Sequence, residues 1–136
     1  DFRNVPLCIE ASDSNTETII NEMACTLSSK VMMVNSDRRR ALHVAAVFAC
    51  NFVNHCYALA SRLLKDNDMD FSVLHPLIME TCQKAVQLPP ELVQTGPAVR
   101  NDATTMEVHL KMLEKYPVFK SLYENLSHSI SIFPPK

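Results

Sequence analysis

The sequence predicts a mainly α-helical protein that begins with a short β-α-β unit. Two short apolar runs near the N-terminus enclose one stretch in which apolar residues recur at helical spacing. Beyond residue 35, four further stretches show helical spacing. With 47% apolar and 21% charged residues, the 136-residue chain also has the composition of a globular protein that can form a hydrophobic core.

The N-terminal unit consists of a strand at residues 5–11, a helix at 16–29 and a second strand at 31–34. Strands joined in this way are parallel neighbours in one sheet. Two strands alone do not make a stable sheet, so we expect them to belong to a larger sheet. Because the first residue is Asp1 rather than methionine, we expect a fragment or a processed chain.

The helical region begins with the longest predicted helix, which runs from Ser36, its expected N-cap, to about Lys65 and is roughly 45 Å long. Pro76 lies inside the next predicted helix, where we expect it to cause a bend. Because the helical region begins at Ser36, we expect the β-α-β unit to span residues 1–35 and the helical domain to span 36–136. The remaining helices are expected at residues 71–87, 102–115 and 117–130, with an irregular stretch at 88–100.

The charge balance excludes several classes of partner. Thirteen lysines and arginines oppose fifteen acidic residues, so no excess of positive charge attracts nucleic acid or an anionic membrane. The longest apolar run, residues 44–50, is shorter than the roughly 20 residues of a membrane span, and no signal pattern is present. Five cysteines without a CxxC motif indicate reduced thiols. We expect a cytoplasmic protein that binds neither nucleic acid nor membranes.

Glycine occurs once, at Gly96. The dinucleotide-binding GxGxxG turn, the phosphate-binding P-loop and the GxSxG nucleophile turn each need several glycines, so the chain contains none of them. The histidines show no metal-ligand spacing, and we expect no metal site.

Polar residues interrupt the otherwise apolar middle of the longest helix. At 100° per residue, His43, Asn51 and Asn54 lie within one stripe. They could satisfy hydrogen bonds within a packed core, and the helical pattern alone favours this interpretation. Alternatively, they could face a cleft in which the amides orient a substrate and the imidazole exchanges a proton.

A second group of polar residues lies in the irregular stretch before the fourth predicted helix of the chain. Thr95, Gly96 and Arg100 supply a hydroxyl, a flexible backbone and a guanidinium just before a helix N-terminus, which are the parts of an anion-binding loop. The same residues also suit a simple connection in which Gly96 has a positive φ, Asp102 caps the helix and Arg100 forms a local ion pair. The residues by themselves leave both interpretations open.

The two groups together resemble a known family. The run 43–55, HVAAVFACNFVNH, is followed by QTGP at 94–97, then by Arg100, Asp102 and Thr105. This order and spacing is similar to domain of unknown function 2520, the C-terminal helical domain of a family of Rossmann-like NADP-dependent oxidoreductases. The resemblance covers nearly the whole chain.

This resemblance implies a C-terminal domain like those of 6-phosphogluconate dehydrogenase and pyrroline-5-carboxylate reductase, which dimerise through their helices. Residues 1–35 would be the last piece of an NAD(P)-binding Rossmann sheet, whose remainder would precede this chain. The reaction implied is hydride transfer between NADP and a small carbonyl, imine or hydroxy compound. The catalytic residues implied are His43, Asn51 and Asn54, and the substrate-binding residues implied are Thr95, Gly96 and Arg100.

Two departures from the family pattern shape this interpretation. Related hydroxyacid dehydrogenases carry a lysine one turn before the helix asparagine, where this chain has Val47, so His43 is the nearest candidate for proton transfer. The glycine-rich cofactor turn is missing, so NADP is expected in the longer parent protein and not on this chain alone. The alternative function is a non-catalytic helical module for homodimerisation or protein interaction, in which the asparagines fix the packing register.

Overall fold

The structure is a computed structural model that describes residues 1–133, and it confirms the mainly α-helical fold with a short parallel β-α-β unit at the N-terminus. The elements are β1 (Leu7–Ile9), α1 (Ser14–Leu27), β2 (Val31–Met33), α2 (Ser36–Ala46), a π-helical segment (Val47–Phe52), α3 (Val53–Lys65), α4 (His75–Gln87), α5 (Ala103–Met112) and α6 (Pro117–Ile132). Short 3-10 turns lie at Phe71–Leu74 and Pro90–Leu92.

The chain forms two compact units, which meet in sequence between Ala58 and Leu59, within α3. The sequence places its domain boundary earlier, before Ser36. The compact units are defined by internal contacts, whereas the predicted boundary separates a sheet-forming part from a helical part. The boundary between residues 35 and 36 therefore stays a prediction. Each unit is described below by itself.

In the first unit, β1 and β2 pair in parallel, with Leu7 opposite Val31 and Ile9 opposite Met33. The connecting helix α1 is capped by Asp13, whose carboxylate accepts a hydrogen bond from the Thr16 backbone at 2.9 Å. After α1, the buried Ser28 hydroxyl donates to the Val5 carbonyl oxygen at 2.6 Å. These local bonds explain why the predicted strand-helix-strand order is correct.

The predicted cap of the longest helix is off by one residue. Asn35 is the N-cap, since its backbone is extended and its side-chain oxygen accepts from the Arg38 backbone at 2.9 Å. Ser36 is the first helical residue, and its hydroxyl donates a hydrogen bond to Glu10 instead of capping the helix. Pro76 also differs from the prediction. It lies in the first turn of α4, where a missing N–H leaves no hydrogen bond unmade, so it begins the helix instead of bending it.

The apolar residues of the chain are mostly exposed. Among the described residues, the buried apolar side chains are Ala24, Val34, Ala98 and Leu113. The continuous helix Ser36–Lys65 is long and apolar enough to cross a membrane by length and composition, with a mean hydropathy of 1.3 over its most apolar window and no burial. The central helix of a soluble assembly passes the same test, so this property by itself is weak evidence for a membrane.

Candidate functional site

Charged and polar side chains meet where the two parallel strands end. Glu10 follows β1, and Ser36 lies just beyond β2 at the start of α2. The Glu10 carboxylate accepts hydrogen bonds from the Ser36 backbone N–H at 2.9 Å and from the Ser36 hydroxyl at 2.8 Å. The Arg39 guanidinium completes the cluster with a 2.9 Å ion pair to Glu10. Open parallel sheets bind their ligands at this carboxyl edge.

The hydrogen bonds from Ser36, together with the Arg39 guanidinium, hold the pKa of Glu10 below its ordinary value, with the Ser36 hydroxyl as the largest cause. An open depression of about 590 Å³ lies beside the cluster and is lined partly by Ile9, Glu10 and Arg39. The sequence analysis missed Glu10. The available signal was its position directly after a short apolar strand.

Ion pairs within the first unit involve two of the three consecutive arginines at the start of α2. Arg39 pairs with Glu10, and Arg40 pairs with Asp37 on the same helix at 2.9 Å. Both partners are side chains of the same unit. Arg39 therefore ties the first turn of the helix to the end of β1, whereas Arg40 makes an exposed pair within one helical turn.

The three predicted catalytic residues lie along the continuous helix that follows. His43 is in the last turn of α2, Asn51 is in the π-helical segment and Asn54 is in α3. All three are exposed, and none of their side chains makes a hydrogen bond to another residue in the described part of the chain. The described part of this chain therefore gives their side chains no hydrogen-bond partner.

The π-helical segment Val47–Phe52 changes the register of this helix. Its hydrogen bonds close rings one residue longer than those of an α-helix, so the residues beyond it are set back by about one position, or roughly 100°. Asn54 is consequently turned away from the stripe that uniform α-helical spacing predicts, and His55 is turned towards it. Single π-helical turns are frequent at functional sites. No sequence pattern used above predicts this segment.

The predicted anion-binding loop lies in the second unit. Gly96 has a φ of +113°, which favours glycine, although an added Cβ would meet nothing within 4 Å. Asp102 caps α5 by accepting from the Thr105 backbone at 3.1 Å. Arg100 is exposed, and its nearest acidic partner is Asp102 at 4.0 Å. Thr95 is exposed as well. The loop therefore has the features of a helix connection and also leaves a guanidinium available.

The described residues do not form a dinucleotide cradle. Gly96 follows a 3-10 turn rather than a strand, and the space around it shows no close approach that requires glycine. Within residues 1–133, no group of three or more histidine, cysteine, aspartate or glutamate side chains is placed to hold a metal ion.

Comparison with known proteins adds the wider context. A family model described as a domain of unknown function, DUF2520, matches residues 5–130. The crystal structure of a putative NADP oxidoreductase from Bacteroides fragilis is similar with a TM-score of 0.91 and 46% identity, over 96% of this chain and 51% of that protein. A protein from Thermotoga maritima is similar in fold, with a TM-score of 0.74 and 24% identity, over 89% of this chain and 50% of that protein.

This chain therefore spans about half the length of the two solved structures that it resembles. No curated protein matches it.

Proposed function

We propose that this chain, which belongs to the DUF2520 family, is the dimerisation and substrate-side domain of an NADP-dependent oxidoreductase. The observation that carries the proposal is the 46% identity, over 96% of this chain, to a protein named as a putative NADP oxidoreductase and about twice as long. The longer protein would transfer hydride between NADP and a small carbonyl, imine or hydroxy compound.

NADP does not fit the residues described here, because they offer a single uncrowded glycine and no glycine-rich turn after a strand. We therefore assign cofactor binding to parts of the longer protein outside this sequence. The proposed contribution of this chain is to position the substrate and to hold two copies of the protein together.

For the substrate, we assign His43 as the proton donor or acceptor and Asn51 and Asn54 as orienting groups. Their exposure and their lack of hydrogen-bond partners in the described chain leave them available. Thr95, Gly96 and Arg100 are assigned to hold an anionic group of the substrate, since the Arg100 guanidinium pairs, among residues 1–133, with Asp102 alone and at 4.0 Å.

The proposed homodimer rests on exposed area. A compact monomer of this mass exposes about 7,100 Å², whereas this chain exposes 10669 Å². A symmetric interface that covered this excess of roughly 3,500 Å² on each copy would bury about 7,000 Å² in total, more than the roughly 2,000–5,000 Å² of most obligate interfaces, so a second copy would account for only part of the excess. On the longest helix, Phe48 is 64% exposed and Phe52 is 50% exposed, with their rings in edge contact at 5.1 Å. We propose that a second copy covers this helix in a soluble, cytoplasmic protein, while further strands cover the open sheet.

Light scattering of the longer protein tests the dimer. Phe48→Asp places a charge in the proposed interface, and we expect it to convert dimer to monomer at micromolar concentration. Val86→Asp is the matched control, because Val86 is 82% exposed on a different helix, α4. A monomeric wild type, or a dimer that survives Phe48→Asp but not Val86→Asp, would contradict the proposed interface.

Titration with NADPH tests the enzyme assignment. We expect the longer protein to bind NADPH saturably and to oxidise it in the presence of some member of a panel of small carbonyls and imines. The 136-residue chain should not bind NADPH under the same conditions. If the longer protein fails to bind NADPH, or if this chain alone binds it equally well, the assignment is wrong.

A non-catalytic interaction module is the second candidate, and the exposed apolar helix favours it equally. Asn51→Leu separates the two functions. If Asn51 only fixes packing, leucine should leave the stability of the longer protein unchanged or raise it. If Asn51 orients substrate, the variant should fold and dimerise normally and lose turnover. A normally folded variant with normal turnover would leave Asn51 a packing role only, whereas a longer protein with no turnover at all would favour the interaction module.

A further inference from the structure

The second compact unit contains a cavity of about 540 Å³ that the proposed function does not use. It lies between the end of α3, the end of α5 and the beginning of α6. Its volume is within the range of about 300–1,000 Å³ that is typical of small-molecule pockets. Its walls are mainly apolar and aromatic, with Leu64, Met69, Met112, Leu113, Tyr116 and Tyr123 among the lining residues.

The aromatic walls of this cavity are held in place by satisfied polar groups. The Tyr123 hydroxyl is 2.9 Å from Nδ1 of His109, and the two rings meet edge to face. The Tyr116 hydroxyl donates to Asp66 at 2.6 Å, and its ring stacks on Phe119 with the centroids 5.2 Å apart. A pocket with fixed walls loses little entropy when a ligand binds.

The charge at this cavity points to an anionic ligand. Asp66 lies nearby and is already bonded to Arg62, whose Nε is 3.1 Å from each carboxylate oxygen. Among the described residues that line the cavity, Lys115 is the one lysine, arginine, aspartate or glutamate. Its ammonium lies 5.1 Å from the centre of the Tyr116 ring and forms no ion pair within 4.0 Å in the described chain. Hydrogen bonds from Tyr116 and Arg62, with the charges of Arg62 and Lys115, lower the pKa of Asp66, so the ammonium acts on that carboxylate from a distance and keeps its hydrogen-bond donors for a ligand carboxylate.

The apolar lining indicates what the rest of the ligand is. Met69 and Met112 are half-exposed or more and border the cavity, and Leu113 is 9% exposed. Thioether sulfur makes favourable contacts with aromatic rings, and methionine adapts to the shape of a ligand. Tyrosine rings also prefer edge or offset contact with another ring. A planar aromatic body is thus the best complement to these walls.

We propose that this cavity binds an aromatic carboxylate, with its ring among the methionines and tyrosines and its carboxylate at Lys115. The residues that line this cavity include none of those assigned to the oxidoreductase, so the proposal does not depend on that assignment. Its ligand class is an aryl acid of one or two fused rings.

Isothermal titration of the 136-residue chain with 2-naphthoate tests this proposal, with the neutral 2-naphthamide as the paired probe. We expect saturable binding of one naphthoate per chain, about tenfold tighter than naphthamide, because a charge-assisted hydrogen bond is lost in the amide. Lys115→Gln should remove this preference and bring the two ligands to the same affinity. Lys111→Gln is the matched control, since Lys111 is an exposed lysine outside the cavity, and it should leave the preference unchanged.

A second pair of variants tests the apolar walls. Met112 is 64% exposed at the edge of the cavity, so Met112→Trp is tolerated by the fold and should fill the space and weaken naphthoate binding by at least tenfold. Val108→Trp is the control on the same helix and outside the cavity, where Val108 is 52% exposed. Circular dichroism of each variant confirms that it is folded.

Three results would overturn the proposal. Binding that does not saturate shows that naphthoate adsorbs to exposed apolar surface. Equal effects of Met112→Trp and Val108→Trp place the ligand elsewhere. Loss of self-association in Met112→Trp, with no naphthoate binding to the wild type, shows that a second copy of the chain occupies the cavity instead.

Discussion

The start and the middle of the longest helix differ in what their polar side chains do. At the start, Ser36 and Arg39 both bond to Glu10, which lies at the end of β1. In the middle, His43 and Asn51 are exposed and bond to no other side chain or backbone group of the described chain. The same helix therefore carries one region whose polar groups are satisfied within the chain and one whose polar groups are not.

This difference separates structural from functional use of polar residues. The Glu10 carboxylate and the Arg39 guanidinium fix the helix to the strand edge, and removing either one takes an ion pair from the other. Exposed polar groups are solvated and contribute little to folding, so the residues in the middle of the helix are free to take the substrate role proposed above. Mutations at the start should therefore change stability, whereas mutations in the middle should change activity.

The largest expected effect is on turnover. In the longer protein, His43→Ala should reduce turnover by about 100-fold or more, the usual contribution of a general acid or base. NADPH affinity and melting temperature should stay unchanged, because His43 has no bonded partner in the described chain to lose. His128→Ala is the matched control, since His128 is an exposed histidine on α6.

Steady-state kinetics and thermal melting, measured on the same preparations, decide the outcome for His43. Unchanged turnover would show that His43 is not a catalytic residue, and the middle of the helix would then have no demonstrated role in activity. A lower melting temperature with unchanged turnover would place His43 among the structural residues instead.

The sequence predicts most of the fold because most element boundaries are local. Helix periodicity and nearby caps depend on residues within one or two turns, as at Asp13 and Asp102, so one sequence contains the required information. The π-helical segment is different, because helical periodicity does not distinguish a π-helical turn from the α-helix on either side of it. The Glu10 cluster joins residues 26 to 29 positions apart, and helical or strand periodicity carries no information about such a contact.

For the candidate site, the sequence identifies the residue types but not their surroundings. His43, Asn51 and Asn54 stand out because they interrupt an apolar pattern. The same pattern fits polar side chains buried in a core and polar side chains on an exposed face, so it does not decide between them. The register change after Phe52 further alters which residues share a face. Asn54 and His55 therefore need kinetic tests side by side.

A smaller effect is expected at the start of the helix, on stability. Glu10→Gln removes the charge that pairs with Arg39 and weakens the acceptor for both Ser36 hydrogen bonds. We expect the melting temperature of the chain, measured by circular dichroism at pH 7, to fall by about 2–4 °C. Glu22→Gln, at an exposed position on α1, is the control and should have no effect. An equal fall in both variants would contradict the structural role of the cluster.

The pH dependence of stability sharpens this prediction. Because the folded pKa of Glu10 is lowered, the ionised form stabilises the fold above the ordinary glutamate pKa of about 4.3, and this contribution is lost as pH falls through the lower folded value. The difference in melting temperature between wild type and Glu10→Gln should therefore be largest near neutral pH and shrink in acid. A difference that grows below pH 4 would show that folding raises the pKa of Glu10 instead of lowering it.

The smallest effect is expected one residue further along the helix. Arg40 pairs with Asp37, and their side chains are 76% and 87% exposed, whereas Arg39 and Glu10 are 48% and 35% exposed. Solvent screens the first pair almost completely, and both of its members lie in one helical turn, so Arg40→Ala should not shift the melting temperature measurably. Arg39→Ala should lower it, because it breaks a contact between two separate elements. If the two alanine variants melt alike, the partners of these arginines do not matter and the helix start is no more fixed than its middle.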